Sequence, residues 1–131
     1  MSYSNLINSA LKARENAYAP YSKYRVGAAL LDKNGHVFLG CNVENASYGA
    51  TICAERSAFS SAVSQGAAEF EAIAIVGGHN EAVSDYASPC GICRQVMAEL
   101  CDKDFKIILF DGKNEKVFTL NELLPQAFNL E

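Results

Sequence analysis

The chain has 131 residues, half of them hydrophobic and 20% charged, and a formal net charge of −4. That length fits one compact domain, the apolar content is too high for disorder, and no apolar run is long enough to span a bilayer. Its 11 Lys and Arg are scattered and outnumbered by 15 Asp and Glu, so neither a nucleic-acid partner nor a membrane partner is expected.

Residues 4–18 place Leu6, Ile7, Ala10, Leu11, Ala17 and Tyr18 at helical spacing, and Pro20 ends the pattern. Lys12, Arg14 and Glu15 interrupt the apolar positions, so no secretion signal is expected here. Residues 26–31 and 36–43 read as two strands around an Asn34-Gly35 turn, which predicts an antiparallel hairpin. On its second strand Val37, Leu39 and Cys41 are expected to face the core, with Phe38, Gly40 and Asn42 on the opposite face. A polar loop over 44–51 leads to a helix over 53–64, rich in Ala and Ser and closed by Gly66. Residues 70–76 form a buried strand ended by Gly77-Gly78, and the loop over 79–88 is long enough to suggest a functional role.

After Pro89, a helix over 91–101 carries Cys93, Val96, Met97, Leu100 and Cys101 on one stripe. A strand over 106–110, a turn over 111–115, a strand over 116–120 and a short helix from Asn121, its expected cap, towards Phe128 complete the chain. The last turn is too short for a parallel crossover. The elements together predict an α/β fold: a three-layer α/β/α sandwich with a mixed five-stranded sheet, one domain over residues 1–131.

Five cysteines, an odd number in a chain with ample core material, point to a reduced cytoplasmic protein with thiolate chemistry. Cys53-Ala54-Glu55 opens one helix and Pro89-Cys90-Gly91-Ile92-Cys93 opens another. Helix N-termini direct unpaired N–H groups and a positive dipole end forward, which favours thiolates. Cys90 and Cys93 can face one point, and Cys53 joins them if the two helices lie side by side, a set suited to one zinc ion per chain. Three protein ligands leave the fourth zinc position to water, the arrangement of a catalytic site. Glu55, two residues from a ligand, is the expected acid and base for that water, and Arg56 is expected to support the thiolates from behind by hydrogen bonding. Cys41 and Cys101 are read as core cysteines, His36 and His79 as solvated, and Arg94 as part of a structural ion pair. A redox C-x-x-C pair would leave Cys53 and Glu55 without a role, and a non-catalytic zinc scaffold would need a fourth cysteine ligand.

C-A-E followed by P-C-x-x-C resembles the zinc-dependent nucleoside and nucleobase deaminases. The blocks Tyr21-Ser22-Lys23-Tyr24, Val26-Gly27-Ala28-Ala29, Asn42-Val43-Glu44-Asn45-Ala46-Ser47-Tyr48-Gly49, Thr51-Ile52-Cys53-Ala54-Glu55-Arg56, Pro89-Cys90-Gly91-Ile92-Cys93-Arg94-Gln95 and Leu123-Leu124-Pro125-Gln126-Ala127-Phe128 narrow that resemblance. In this order and from end to end, they are similar to the short, homotetrameric cytidine deaminases. The resemblance implies zinc-dependent conversion of cytidine or deoxycytidine and water to uridine or deoxyuridine and ammonia, a step of pyrimidine salvage. Water attacks the pyrimidine C4 and Glu55 moves protons to N3 and then to the leaving amino group.

The resemblance further implies that the Ala54 N–H binds the base carbonyl and that Asn42 and Glu44 bond the ribose 3′-hydroxyl. Tyr24 stands at the stacking wall, where the family usually has Phe. Composite sites in a homotetramer are implied too, with Ala46 to Tyr48 and Phe128 reaching a neighbour's pocket; packing of Phe128 on Leu123 and Leu124 of its own domain is the alternative. Arg25, Ile92 and Gln126 are substitutions within the motifs. Blasticidin-type deaminases share the zinc motifs but lack the complete Asn-Val-Glu-Asn-Ala-Ser block, and deaminases that edit RNA or DNA usually place a helix between the last strands.

Overall fold

The computed structural model describes residues 3–79 and 82–130, so residues 80 and 81 of the 79–88 loop and Glu131 lie outside the described residues. The most apolar run of the chain becomes β3 (Phe70–His79), the middle of the sheet. It pairs antiparallel with β1 (Tyr24–Asp32) and parallel with β4 (Lys106–Phe110). At the edges β2 (Val37–Cys41) and β5 (Glu115–Thr119) pair antiparallel with β1 and β4, giving the order β2-β1-β3-β4-β5.

Both faces of this centre are covered. Ile73, Ile75, Ile107 and Leu109 pack with Ala58, Phe59 and Ala62 of α2 (Ala54–Ser64) and Met97 of α3 (Gly91–Leu100). Ala72, Ala74, Val76 and Ile108 pack instead with Leu6, Ile7 and Ala10 of α1 (Ser4–Arg14). From Ala72 the strand is buried on both faces, which is why residues 72–76 carry no polar alternation. The expected α/β/α sandwich is the observed one. Among the described residues no helix is long and apolar enough to cross a membrane.

Several boundaries differ from expectation because backbone partners outrank side-chain spacing. The N–H groups of Glu15, Asn16 and Ala17 bond carbonyls three residues back, tightening the end of α1 at Arg14 rather than at position 18. Tyr18 then leaves the helix, its N–H donating to the Asn42 carbonyl and its carbonyl accepting from the Glu44 N–H. Strand β3 runs through Gly77-Gly78 to His79, because Val26, Arg25 and Tyr24 of β1 keep pairing with it. The last helix, α4 (Leu120–Leu123), is capped by Thr119 in a reciprocal box with Glu122, not by Asn121. It stops before Pro125, whose ring disfavours helical backbone at Leu124, and so does not run towards Phe128.

The expected faces of β2 are reversed. Val37 and Leu39 are 43% and 44% exposed, whereas Gly40 is buried and Phe38 packs against the core. The strand is an edge strand, and α2 covers its Phe38 and Gly40 face. A Cβ on Gly40 would lie 2.4 Å from the Ala54 carbonyl oxygen and 2.4 Å from the Ala58 nitrogen, so the first turn of α2 rests on strand backbone. Gly40→Ala is expected to push that turn away and cost about 1–3 kcal/mol. Thermal unfolding checks this, and an unchanged Tm would contradict it.

Candidate active site

Cys53 and Cys90 are the N-caps of α2 and α3, both in extended backbone, and neither side chain caps the N–H groups of its own helix. Their thiols are therefore free to meet. The two helix starts bring the Sγ atoms of Cys53, Cys90 and Cys93 within 4.8 Å of one another, with Cys53 and Cys90 at 3.9 Å. A tetrahedral zinc with thiolate bonds of about 2.3 Å sets its sulfurs about 3.8 Å apart, so the spacing fits.

The proton distribution fits a cation as well. The Cys53 thiol is held well below its usual range, chiefly by a hydrogen bond from Cys93, against the effect of burial and with help from Arg56 and Cys90. As the donor in that bond Cys93 is pushed up, and burial and the Glu55 carboxylate push it further. Metal-free, the cluster shares protons; a divalent cation lets all three sulfurs ionise. Cys41 and Cys101 stand outside the cluster among the described residues, and burial holds both as thiols, Cys101 at about 12.

Arg56 takes the expected place behind the sulfurs. One Nη lies 3.6 Å from Cys53 Sγ and 3.4 Å from the Thr51 carbonyl oxygen, while its buried Nε makes no hydrogen bond among the described residues. Glu55, one residue into α2, is 5% exposed. Burial pushes its carboxyl up to about 7; its own N–H pulls it down and the nearby Cys53 charge pushes it up.

Glu55 opens into a cavity of about 300 Å³, at the lower edge of the usual small-molecule range. Cys53, Ala54 and Cys90 line it from the helix starts, Tyr24, Val26 and Asn42 from β1 and the end of β2, and Tyr86, Ala87 and Ser88 from the loop before α3. Ala54, the first residue of α2, has an N–H without an acceptor inside its own helix. Asn42 is held in place: its Oδ1 accepts from the Val26 N–H at 2.9 Å and its Nδ2 donates to the Tyr24 carbonyl at 2.8 Å.

Glu44 does not line this cavity. It lines a neighbouring one of about 370 Å³ with Tyr21, Ser22 and Tyr48, and Thr51 lines both. One carboxylate oxygen of Glu44 accepts from the N–H groups of Tyr21 and Ser22 at 3.0 and 3.1 Å, and the other from the Ser22 hydroxyl. Ala46 and Phe128 line neither cavity. The Phe128 ring is 68% exposed, so it does not pack on its own domain as Leu123 and Leu124 do.

One minor reading changes: Arg94 bonds neutral oxygens of Pro89, Leu123 and Ser88 instead of a carboxylate. His79 is exposed as expected and also meets the Tyr24 ring edge-on, with ring centroids 5.0 Å apart. Tyr86 and Thr51 also line the pocket, which the sequence pattern does not mark. For Tyr86 the available signal was an aromatic four positions before Cys90 in an otherwise small and polar loop.

The sandwich carries a three-cysteine cluster at two helix starts with a buried glutamate beside it, a donor set that fits a zinc-dependent hydrolytic deaminase. A family model for the cytidine and deoxycytidylate deaminase zinc-binding region matches residues 1–109. The chain is 51% identical over 127 residues to a cytidine deaminase of Halalkalibacterium halodurans, covering 96% of this chain and 93% of that one. The crystal structure of a cytidine deaminase from Burkholderia pseudomallei is similar with a TM-score of 0.89 at 48% identity, covering 98% of this chain and 100% of that one. That of the Mycobacterium tuberculosis cytidine deaminase gives a TM-score of 0.85 at 39% identity, covering 99% of each. This chain belongs to the cytidine and deoxycytidylate deaminase family.

Proposed function

We propose that this chain is a cytidine deaminase, converting cytidine and deoxycytidine to the uridines in cytoplasmic pyrimidine salvage, with residues 1–131 as one catalytic domain. The observation that carries the reading is the buried Glu55 carboxyl in the same cavity as Cys53 and Cys90. Cys53, Cys90 and Cys93 would hold one zinc, which when bound supplies Lewis-acid activation of a hydrolytic water. Glu55 accepts a proton as the water oxygen bonds to C4 and delivers it to N3. It then carries the second proton from the new hydroxyl to N4, the C4–N4 bond breaks, ammonia leaves and the C4 carbonyl remains. Burial suits a group that must hold a proton between two transfers without losing it to bulk water.

The remaining residues orient the nucleoside. The Ala54 N–H bonds the base carbonyl, and the Tyr24 ring supplies a flat wall. A substrate spanning the two cavities that share Thr51 places its base by Glu55 and its sugar towards Asn42 and Glu44. Each of these still has hydrogen-bonding capacity, since a carboxylate offers about four lone-pair sites and an amide four groups in total. Glu44→Gln, which keeps an acceptor for Tyr21 and Ser22, is expected to raise the KM for cytidine about tenfold or more and to leave free cytosine nearly unaffected. Loss of cytosine absorbance with cytidine, cytosine and CMP measures this, and CMP turnover equal to that of cytidine would contradict a nucleoside site.

The same reading makes the working unit a homotetramer with shared sites. The exposed rings of Tyr48 and Phe128 support it, as does an apolar groove of about 550 Å³ between α2 and α3, lined by Ile52, Phe59, Val63, Val96 and Leu100. Mixing a Glu55→Gln chain with a chain truncated after Gln126 is expected to restore activity above the sum of the two, because an intact tail completes the neighbour's site. No recovery after verified subunit exchange would reject shared sites.

A further inference from the structure

One wall of the pocket, residues 82–88, has almost no regular structure of its own, yet it contributes Tyr86, Ala87 and Ser88. Arg14, the last residue of α1, is 8% exposed and reaches this segment. Its Nε donates to the Arg25 carbonyl at 3.1 Å, and one Nη donates to the carbonyls of Gly78 at 2.9 Å and Ala82 at 3.2 Å. Those three oxygens belong to β1, to the end of β3 and to the loop itself.

Glycines make this reach possible. A Cβ on Gly27 would lie 2.1 Å from the Ala10 carbonyl oxygen and 2.5 Å from the Arg14 nitrogen, so α1 lies directly on β1 and delivers the guanidinium to the strand ends. A Cβ on Gly78 would lie 2.2 Å from the Ala82 oxygen, and one on Gly77 would lie 2.8 Å from the Ala87 Cβ and 2.9 Å from the Tyr24 ring. The loop therefore rests on bare backbone, and Asp85 forms a bridge with Gly77. From the other side Gly112 closes on the Val83 carbonyl, and Lys116 Nζ sits 4.4 Å from the centre of the Tyr86 ring.

We infer that Arg14 is a positioning residue for substrate binding: by bonding the carbonyls of Arg25, Gly78 and Ala82 together, it fixes residues 82–88 where Tyr86 and Ala87 close the pocket. This rests on the reading of that pocket as the nucleoside site. Arginine suits the task because a rigid planar fork with five N–H groups can serve several carbonyls at once, whereas a lysine ammonium is a point charge on a flexible stem. Burying a cation is tolerable here because carbonyl oxygens compensate it.

Arg14→Lys, studied as the zinc-loaded enzyme, tests the inference through cytidine kinetics, zinc content and amide hydrogen exchange without substrate. The expected result is a KM raised about tenfold with kcat changed less than about threefold. Zinc stoichiometry should be kept, and faster exchange should be confined to residues 82–88. Gly78→Ala, which leaves the Arg14 side chain in place but crowds the Ala82 carbonyl, is expected to reproduce the same split and secures the test if the lysine variant folds poorly. Unchanged KM and unchanged loop exchange in a folded variant would overturn the inference, as would exchange that rises uniformly along the chain. Wild-type protein inactive on cytidine would overturn the functional reading instead, with loop exchange in the two variants still deciding the clasp.

Discussion

Glu55→Gln is expected to fold, to hold one zinc per chain and to lose about 10²–10⁴ of kcat. The substitution keeps shape and one hydrogen-bond acceptor, so the cavity formed with Cys53, Ala54 and Cys90 stays as it is. What disappears is, among the described residues, the one carboxylate in that cavity's lining, the group proposed to take a proton from water and return it to nitrogen. Stability should not fall. Burial disfavours the charged form of Glu55, so at neutral pH and above a neutral amide removes a folded-state penalty that the wild type carries for function. Kinetics, zinc analysis and thermal unfolding on one preparation check all three statements. Turnover within about tenfold of wild type would mean that the proton relay lies elsewhere.

Cys90→Ala is expected to lose metal and activity together while the apo protein remains folded. The Cys90 thiol is exposed and makes no cap bond, so the fold draws little from it beyond the cluster. Zinc sites built on cysteine bind with roughly 10–16 kcal/mol, and removing one of three protein ligands takes away roughly a third of that, a loss of about 10²–10⁴ in affinity. Cys101→Ala provides the contrast: that thiol lies outside the cluster and should leave zinc content unchanged. Metal analysis after dialysis against a chelator separates the two. Full zinc occupancy in Cys90→Ala would mean that the ligand set is wrong.

Short-range pattern was enough for the chemistry at each helix start. The spacing in Pro89-Cys90-Gly91-Ile92-Cys93 puts two thiols on one turn, and Cys53-Ala54-Glu55 puts a carboxyl one step inside a helix, whatever the rest of the chain does. The hairpin over Asn34-Gly35 and the antiparallel last strands follow from turn length and φ preference, again local quantities. Alternation on β2 identified two faces but could not say which was covered. That choice belongs to α2, whose first turn needs the bare backbone of Gly40 beneath it.

Composition and local spacing thus determined the fold class, the cysteine donor set and the carboxylate proposed as acid and base, because each depends on groups within a turn or a strand of one another. Tertiary structure alone decided that Cys53 meets Cys90 across 37 positions, that Glu44 opens into a separate cavity from Glu55, and that Arg14 is buried against three carbonyls. Periodicity along α1 gives a polar residue the same look whether solvent or a strand end lies beyond it. Only the packing of α1 onto β1 at Gly27 settles which of the two Arg14 meets.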